Sequence, residues 1–521
     1  MSNQTTPLSK DEKRRIREAK ELTRLEKEKA RPKRFWLWYL AYMMFILALI
    51  YIVDEVATNL PNALQTEINL AINVWPWASK NGYDVVTTWN QVYPTSTTIT
   101  IEAFENQISS GLSNIGLVHT AANAMLIVSM FYRSLADKWG RKIFLFINTL
   151  GMALSLLVFF TATNFAGYII GFFCLRFFVT PDQQVVYIFE LAPKKYRNAI
   201  FSSIKGVAEL GLVFIWLLRK LFLTADGTSP VEGDFYLYRW LFLAVAIAAA
   251  VIAFLALIFA RESDAFLDER IAYLKQTDEE RAAIKAEKDA SKAQGGFISA
   301  LKYTFKNKQV LWICIATAVA ELCYSACNNY SNVLTYGFLG QGMHSVEQAT
   351  DVTFWFPFSC AIVTFAYGFI SDWIGRKKTS IVLLSSCTVF MVLEFLGLYY
   401  GWPDWIIGLL LGGVLGADWA NGDVLSLMAG ESCPTNIRAS VMSSWSTFFG
   451  IGMILSFAIS AIAPKIAGTT YLSLVYLCVS VPSWVISLFF LMIKVKETKG
   501  TDLNTKIGQN AIDVVSETEQ Q

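Results

Sequence analysis

The sequence predicts an all-α membrane protein of twelve transmembrane helices, arranged as two pseudo-symmetric six-helix halves. Three observations carry that prediction. Of 521 residues, 54% are hydrophobic and only 17% charged, where a soluble chain carries about 25% charged residues. Apolar runs long enough to span recur along the chain, and about 20 residues cross the hydrocarbon core. One short charged turn occurs twice. Asp137-Lys138-Trp139-Gly140-Arg141-Lys142 and Asp372-Trp373-Ile374-Gly375-Arg376-Lys377 both read Asp-x-x-Gly-Arg-Lys, and each joins two apolar runs. A charged turn this short between such segments is a hairpin at a membrane surface. Its recurrence points to duplicated halves.

The runs fall near 35–58, 110–132, 143–163, 166–188, 199–223, 238–260, 309–336, 349–370, 379–400, 405–429, 439–463 and 470–493. Before them, residues 1–34 alternate Lys/Arg with Glu and read as a charged N-terminal arm, a solvated helix or a disordered segment. This arm is too charged for a cleavable signal peptide. Residues 35–260 make the N-terminal half and 309–494 the C-terminal half. Between them lies a charged linker, 261–308, whose stretch from Glu269 to Lys292 is helix-prone and polar all round. Residues 495–521 form a short polar tail. The loop 59–109 holds Trp75, Trp77 and Trp89 and reads as a small extracytoplasmic cap.

The loops set the orientation. Lys138, Arg141 and Lys142, then Lys194, Lys195 and Arg197, then Arg376, Lys377 and Lys378, then Arg438, all fall on one side. The alternate loops are poor in Lys and Arg. The positive-inside rule then puts both termini in the cytoplasm, and an even number of spans requires the same.

Net charge is +2, so bulk charge suggests no nucleic-acid partner. Eight cysteines are present, none with zinc-site spacing to histidine. Cys323 and Cys327 are one helical turn apart, but two thiols alone make a poor metal site, and buried packing cysteines are the expectation. No cofactor, metal or catalytic motif stands out.

A second pair of segments repeats as well. Glu190, Pro193 and Arg197 follow the fourth run with the spacing of Glu431, Pro434 and Arg438 after the tenth. Lys496-Glu497-Thr498-Lys499-Gly500 closes the last run. Together these segments resemble the signature motifs of the major facilitator superfamily, in its sugar-porter and organic-ion (metabolite–proton symporter) branch, over residues 35 to about 503. The resemblance implies charge pairs on the cytoplasmic face, among Asp137, Arg141, Glu190 and Arg197 in one half and Asp372, Arg376, Glu431 and Arg438 in the other. These would form when the protein opens outward and break when it opens inward. One departure concerns packing. The family's first motif begins with Gly, but here that place is Arg133, while the second copy keeps Gly368.

An ionisable residue at mid-bilayer costs about 2.5–3.5 kcal/mol on insertion scales, so those kept there are candidates for function. Asp54 fits the proton-site aspartate of the first helix in related symporters, and the resemblance gives it an arginine partner in the fourth run, where Arg176 stands. Arg176 precedes Glu190 by 14 residues, a shorter interval than the family's, which sets the guanidinium about 9 Å deeper. Glu55 and Asp182 are alternative proton carriers. Lys205 and Glu209, one turn apart, either neutralise each other or face a substrate. In sugar porters the place of Lys205 is a sugar-binding glutamine, and the places of Asp423 and Ser426 are a proline and a stacking tryptophan. The seventh run, from Glu321 to Tyr330, does not align with the sugar-porter pattern. The frame therefore resembles a sugar porter while the pocket does not. Lys205, Glu209, Glu321, Asn328, Asp418, Asn421 and Asp423 suit a charged or zwitterionic solute. His119 reads as a structural histidine.

The expectation is a monomeric secondary transporter in the cell membrane. It would carry a small organic solute together with protons across the bilayer by symport, through alternating access. Rival readings are an uncoupled facilitator, a drug–proton antiporter, and a membrane sensor that does not transport. No enzyme chemistry is expected.

Overall fold

The computed structural model describes residues 10–30, 36–93, 101–125, 140–179, 197–225, 234–281, 297–341, 346–433 and 438–499. It also describes positions 128, 129, 132, 184, 187, 188, 191, 229 and 230. The apolar runs become helices because a segment in lipid must satisfy every backbone polar group internally. Among the described residues, nine helices are long and apolar enough to cross a membrane. Phe165–Val179 is a shorter apolar helix. Two further long helices, Glu102–Ala122 and Asp404–Glu431, fall outside that set because each carries several polar or acidic residues.

The N-terminal half contains α1 (Lys10–Lys29), α2 (Trp36–Ala63), α3 (Gln65–Asn69), α4 (Trp75–Lys80), α5 (Val85–Val92), α6 (Glu102–Ala122), α7 (Arg141–Thr161), α8 (Phe165–Val179), α9 (Arg197–Leu210), α10 (Val213–Leu223) and α11 (Tyr238–Phe259). A two-residue hairpin, β1 (Thr224–Ala225) with β2 (Ser229–Pro230), follows α10. After α12 (Asp264–Lys275) and α13 (Phe297–Lys306), the C-terminal half contains α14 (Lys308–Ala320), α15 (Tyr324–Asn328), α16 (Tyr330–Tyr336), α17 (Val346–Ile374), α18 (Arg376–Tyr400), α19 (Asp404–Glu431), α20 (Arg438–Ala467) and α21 (Leu472–Lys494).

The packing is pseudo-symmetric. In the first half α7 packs on α8 and α11, and α2 packs on α9 and α11. In the second half α18 packs on α19 and α21, and α14 packs on α20 and α21. The halves meet along two helix pairs, α6 with α20, and α9–α10 with α17. At the first contact Gly116 is the enabling residue: a Cβ there would come within 2.8 Å of the Ala461 backbone. The Ser113 hydroxyl donates to the Ala461 carbonyl at 2.5 Å.

Three segments differ from the sequence expectation. The stretch expected as the loop 59–109 is mostly helical. α2 runs on to Ala63, α3 follows, a π-turn spans Leu70–Val74, and α4 and α5 complete the cap. Aromatic contacts hold it together, with Trp77 edge-on to Phe104 at 5.0 Å and Trp75 against Phe235 at 4.9 Å. The seventh run is broken. α14 stops at Ala320, a 3₁₀ turn covers Glu321–Cys323, and α15 ends at Asn329. Hydrogen bonds to α20 take up the freed groups, Ser325 N to Ser456 Oγ at 2.8 Å and Ser325 Oγ to the Ser456 carbonyl at 2.8 Å. Finally, the described part of the arm, Lys10–Lys29, is a helix, one of the two expected forms, but one packed along a side rather than solvated all round. Leu22 and Leu25 of α1 pack on Leu267, Ile271 and Leu274 of α12, so the described start of the linker is amphipathic rather than polar all round. Pro357 lies inside α17 and Pro482 inside α21. Pro181 lies outside the described residues.

Candidate functional site

Lys205 and Glu209 sit one turn apart on α9, the N-terminal-half helix that packs on α17. Their direct partners belong to the other half. Lys205 Nζ donates to Asp423 Oδ2 of α19 at 2.6 Å, and the Tyr367 hydroxyl of α17 donates to the same oxygen at 2.8 Å. Glu209 Oε2 accepts from Cys360 Sγ at 2.5 Å and from Thr364 Oγ1 at 3.0 Å, both on α17. The simple picture in which Lys205 and Glu209 only neutralise each other is therefore incomplete. The two are electrostatic neighbours, and each is also bonded across the seam. Glu55 on α2 acts on both. Lys205 and Glu209 are 8% and 0% exposed, so this seam is a buried polar junction between halves.

Beside it, the buried carboxylate of Asp54 accepts from Gln184 Nε2 at 2.7 Å. Arg176 lies 5.5 Å from the Phe172 ring centroid and acts electrostatically on the Tyr324 hydroxyl of α15, across the halves. His119 Nε2 pairs with the Tyr168 hydroxyl at 2.8 Å, and its ring stacks on Phe172 at 4.1 Å. That is the packed histidine the sequence suggested. Asp182 lies outside the described residues.

The remaining substrate candidates are buried in the C-terminal half. Asn421 Oδ1 accepts a very short bond from Ser380 Oγ. Asn328 Nδ2 bonds back to the Tyr324 carbonyl at 2.8 Å. Glu321 feels both Asp418 and Asp423, which places it between the seam and the core of its own half. Asp418 is held within that core by Trp484 Nε1 at 3.2 Å and Cys323 Sγ at 3.3 Å.

A second seam, unanticipated from sequence, closes the opposite end of the bundle. Arg219 of α10 is 3% exposed and binds Glu67 Oε1 of α3 at 2.7 Å, the Ala63 carbonyl at 2.7 Å and Thr350 Oγ1 of α17 at 3.1 Å. Beside it Asn332 Nδ2 of α16 donates to Gln65 Oε1 at 2.8 Å, and Thr66 Oγ1 meets Ser331 Oγ and Asn332 Oδ1, each at 3.1 Å. The α3 turn is thus pinned to both halves. A signal for it was present in the sequence, since Arg219 is a charge inside an otherwise apolar run.

At the face carrying the repeated turns, two corners are built alike. Gly140 and Gly375 have φ of 106° and 102°, a backbone region that disfavours side chains. Each starts a helix whose first amides point at a glutamate following the last helix of the same half. Arg141 N donates to Glu262 Oε1 at 3.0 Å, and Arg376 N to Glu497 Oε1 at 2.8 Å, with 121 residues between the partners in both cases. A carboxylate is the right group there, because helix N-termini carry unsatisfied N–H groups and a positive dipole end. Burial pushes the Glu262 carboxyl above the usual range, while the amides of Lys142, Ser263 and Arg141 pull it back.

Among the expected gating residues, Arg376 binds Asp372 at 2.6 Å and Glu431 at 3.3 Å. Both pairs lie within the C-terminal half. Asp137 and Glu190 lie outside the described residues, as do the side chains of Arg197 and Arg438, so the matching N-terminal set is not on view.

Comparisons with known proteins agree with this architecture. The family model described as Major Facilitator Superfamily matches residues 85–422. Among curated proteins, the glucose transporter GlcP of Staphylococcus epidermidis is 23% identical over 390 residues, 71% of this chain and 82% of that protein. Among solved structures, a D-xylose–proton symporter superposes with a TM-score of 0.63 at 16% identity, covering 89% of this chain and all of that one. The inward-open xylose transporter XylE from E. coli gives 0.53 at 17% identity, over 89% of this chain and 98% of that one. The nucleoside transporter NupG gives 0.53 at 16% identity, over 87% of this chain and all of that one. The chain belongs to the major facilitator superfamily of transporters, and its fold is that of the family's sugar and solute–proton symporters.

Proposed function

We propose that this protein is a proton-coupled symporter of a small charged or zwitterionic organic solute. It works by alternating access between two six-helix halves, residues 35–260 and 309–494, with twelve spans in the cell membrane. The arm 1–34, the linker 261–308 and the tail 495–521 lie in the cytoplasm.

The observation that carries the reading is the Lys205–Asp423 pair across the mid-membrane seam. Around its single ammonium stand three carboxylates, Asp423, Glu209 and Glu55. Of the three, Glu209 is fully buried while Asp423 and Glu55 keep part of their surface exposed, and burying a charge costs several kcal/mol unless it is compensated. A proton on one acid, or a cationic group of a substrate, supplies the compensation. A substrate carboxylate that takes Lys205 from Asp423 leaves that acid without its cation, and an acid losing a cation gains affinity for a proton. Substrate and proton then favour the same rearrangement, which is the basis of coupling. Asp54 is the second proton carrier in this scheme, with Gln184 as its hydrogen-bond donor. Glu321, Asn328, Asn421 and Asp423 offer polar contacts from the other half, and the pairs of Arg376 with Asp372 and Glu431 brace the cytoplasmic gate.

A neutral sugar is the second reading, favoured by the names of the glucose and xylose relatives. A thermal-shift screen against amino acids, organic acids, amines and sugars separates the two. Uptake of the resulting hit into proteoliposomes, with and without a pH gradient, then tests coupling. Asp54→Asn is expected to abolish gradient-driven accumulation while sparing substrate exchange. Accumulation indifferent to the gradient in the native protein would refute proton coupling.

A further inference from the structure

Part of the buried polar chemistry of the C-terminal half is not used at the seam. Where the seventh helix breaks, the 3₁₀ turn at Glu321–Cys323 runs into α15, and Cys323 and Cys327 end on one face, four residues apart. Asp418 reaches them from α19, 95 residues away in sequence. One ligand atom from each of Cys323, Cys327 and Asp418 lies within 4.8 Å of the other two, and all three residues are buried. Glu321 and Glu394, each 2% exposed, both act electrostatically on Cys327. Glu394 has no hydrogen-bond or ion-pair partner among the described residues. No Lys or Arg is among the groups acting on Glu321, Glu394 or Asp418.

The donor set selects the ion. Two sulfurs and a carboxylate oxygen suit a borderline or thiophilic divalent cation, zinc above all, and not magnesium or calcium. Size agrees. Zinc–sulfur bonds of about 2.3 Å in a tetrahedron set sulfurs about 3.8 Å apart, so the cluster needs to close by about 1 Å at most. The charge agrees too, since a divalent ion is the counter-charge that these acids lack.

We propose that Cys323, Cys327 and Asp418 form a binding site for a zinc-class divalent cation in the core of the C-terminal half, with Glu394 or Glu321 completing four ligands. Binding converts two thiols to thiolates and releases at least two protons per ion, with one more from each carboxyl ligand that is protonated beforehand. The ion ties α19 to the broken segment of the seventh helix, adding to the Ser325–Ser456 bonds that hold the break. The three core ligands come from the 3₁₀ turn, α15 and α19, all in the C-terminal half; Glu321, a substrate contact in the transport reading, is the one residue the two sites would share.

The test uses the purified full chain and cadmium as probe. Titration is expected to give a sulfur-to-cadmium ultraviolet band saturating at one ion per chain, with at least two protons released in weak buffer. The band should vanish in Cys323→Ser and in Cys327→Ser and persist in Cys174→Ser and Cys478→Ser. No band in the native protein, or a band surviving in the Cys323→Ser/Cys327→Ser double variant, overturns the proposal. If the serine variants do not fold, X-ray absorption at the metal edge on the native protein decides. Two sulfur ligands support the site, and a shell of only oxygen and nitrogen refutes it.

Discussion

In the N-terminal half Glu262 closes the turn at Gly140, and in the C-terminal half Glu497 closes the turn at Gly375 over the same interval of 121 residues. Deeper in the bundle the likeness ends. The N-terminal core holds a packed His119, Tyr168 and Phe172 beside Arg176, while the C-terminal core holds thiols and acids around a broken helix. The corners are alike because each helix that starts after a positive-φ glycine presents free amides that a carboxylate satisfies. The cores differ because the halves contribute different chemistry to one asymmetric seam, an ammonium from α9 meeting a carboxylate from α19.

That contrast between like corners and unlike cores can be broken experimentally. The largest effect is expected at the seam. Lys205→Gln leaves Asp423, whose side chain is 28% exposed, without its cation, a loss below about 3–5 kcal/mol, the cost for a fully buried pair, with uptake abolished. Adding Asp423→Asn should return most of the thermal stability but none of the transport. Recovery of transport would show the pair to be a structural strut. Next comes Arg219→Met at the opposite end. It strands Glu67 and unpins α3, costing about 3 kcal/mol, and Glu67→Gln in the same chain should restore thermal stability. The smallest effects belong to the corners. Glu262→Gln and Glu497→Gln each weaken a helix cap by about 0.5–2 kcal/mol, the buried Glu262 more than the exposed Glu497. A silent change in one corner beside a large shift in the other would mean that the matching geometry is inherited and not shared in function.

Much of the frame was legible in the sequence because it is written in local terms. Apolar runs, charged turns and glycines at fixed offsets specify spans and corners without knowledge of partners. The repeat was only half seen. Glu497 stood out in its motif, whereas Glu262, its counterpart, lies in a linker where charge is common. The seam was partly legible. Lys205, Glu209 and Asp423 stood out as charges in lipid, but their pairing spans 218 residues and follows only from how the halves dock. Arg219 carried the same signal and belongs with Glu67, a residue in a segment that reads as a loop. The metal-class cluster was invisible for a related reason. Two cysteines one turn apart become a site only when Asp418 arrives from another helix.

The central claim is that two halves rock about the Lys205–Asp423 seam while the Arg219–Glu67 seam opens and closes one entrance. Spin labels at the exposed positions Lys80 and Tyr400 report that entrance most directly, in a chain whose exposed Cys478 is replaced by serine. Electron–electron resonance distances are predicted to gain a longer population on lowering the pH with substrate present, and again in Arg219→Met. One unchanged distance under all of these conditions would contradict the account.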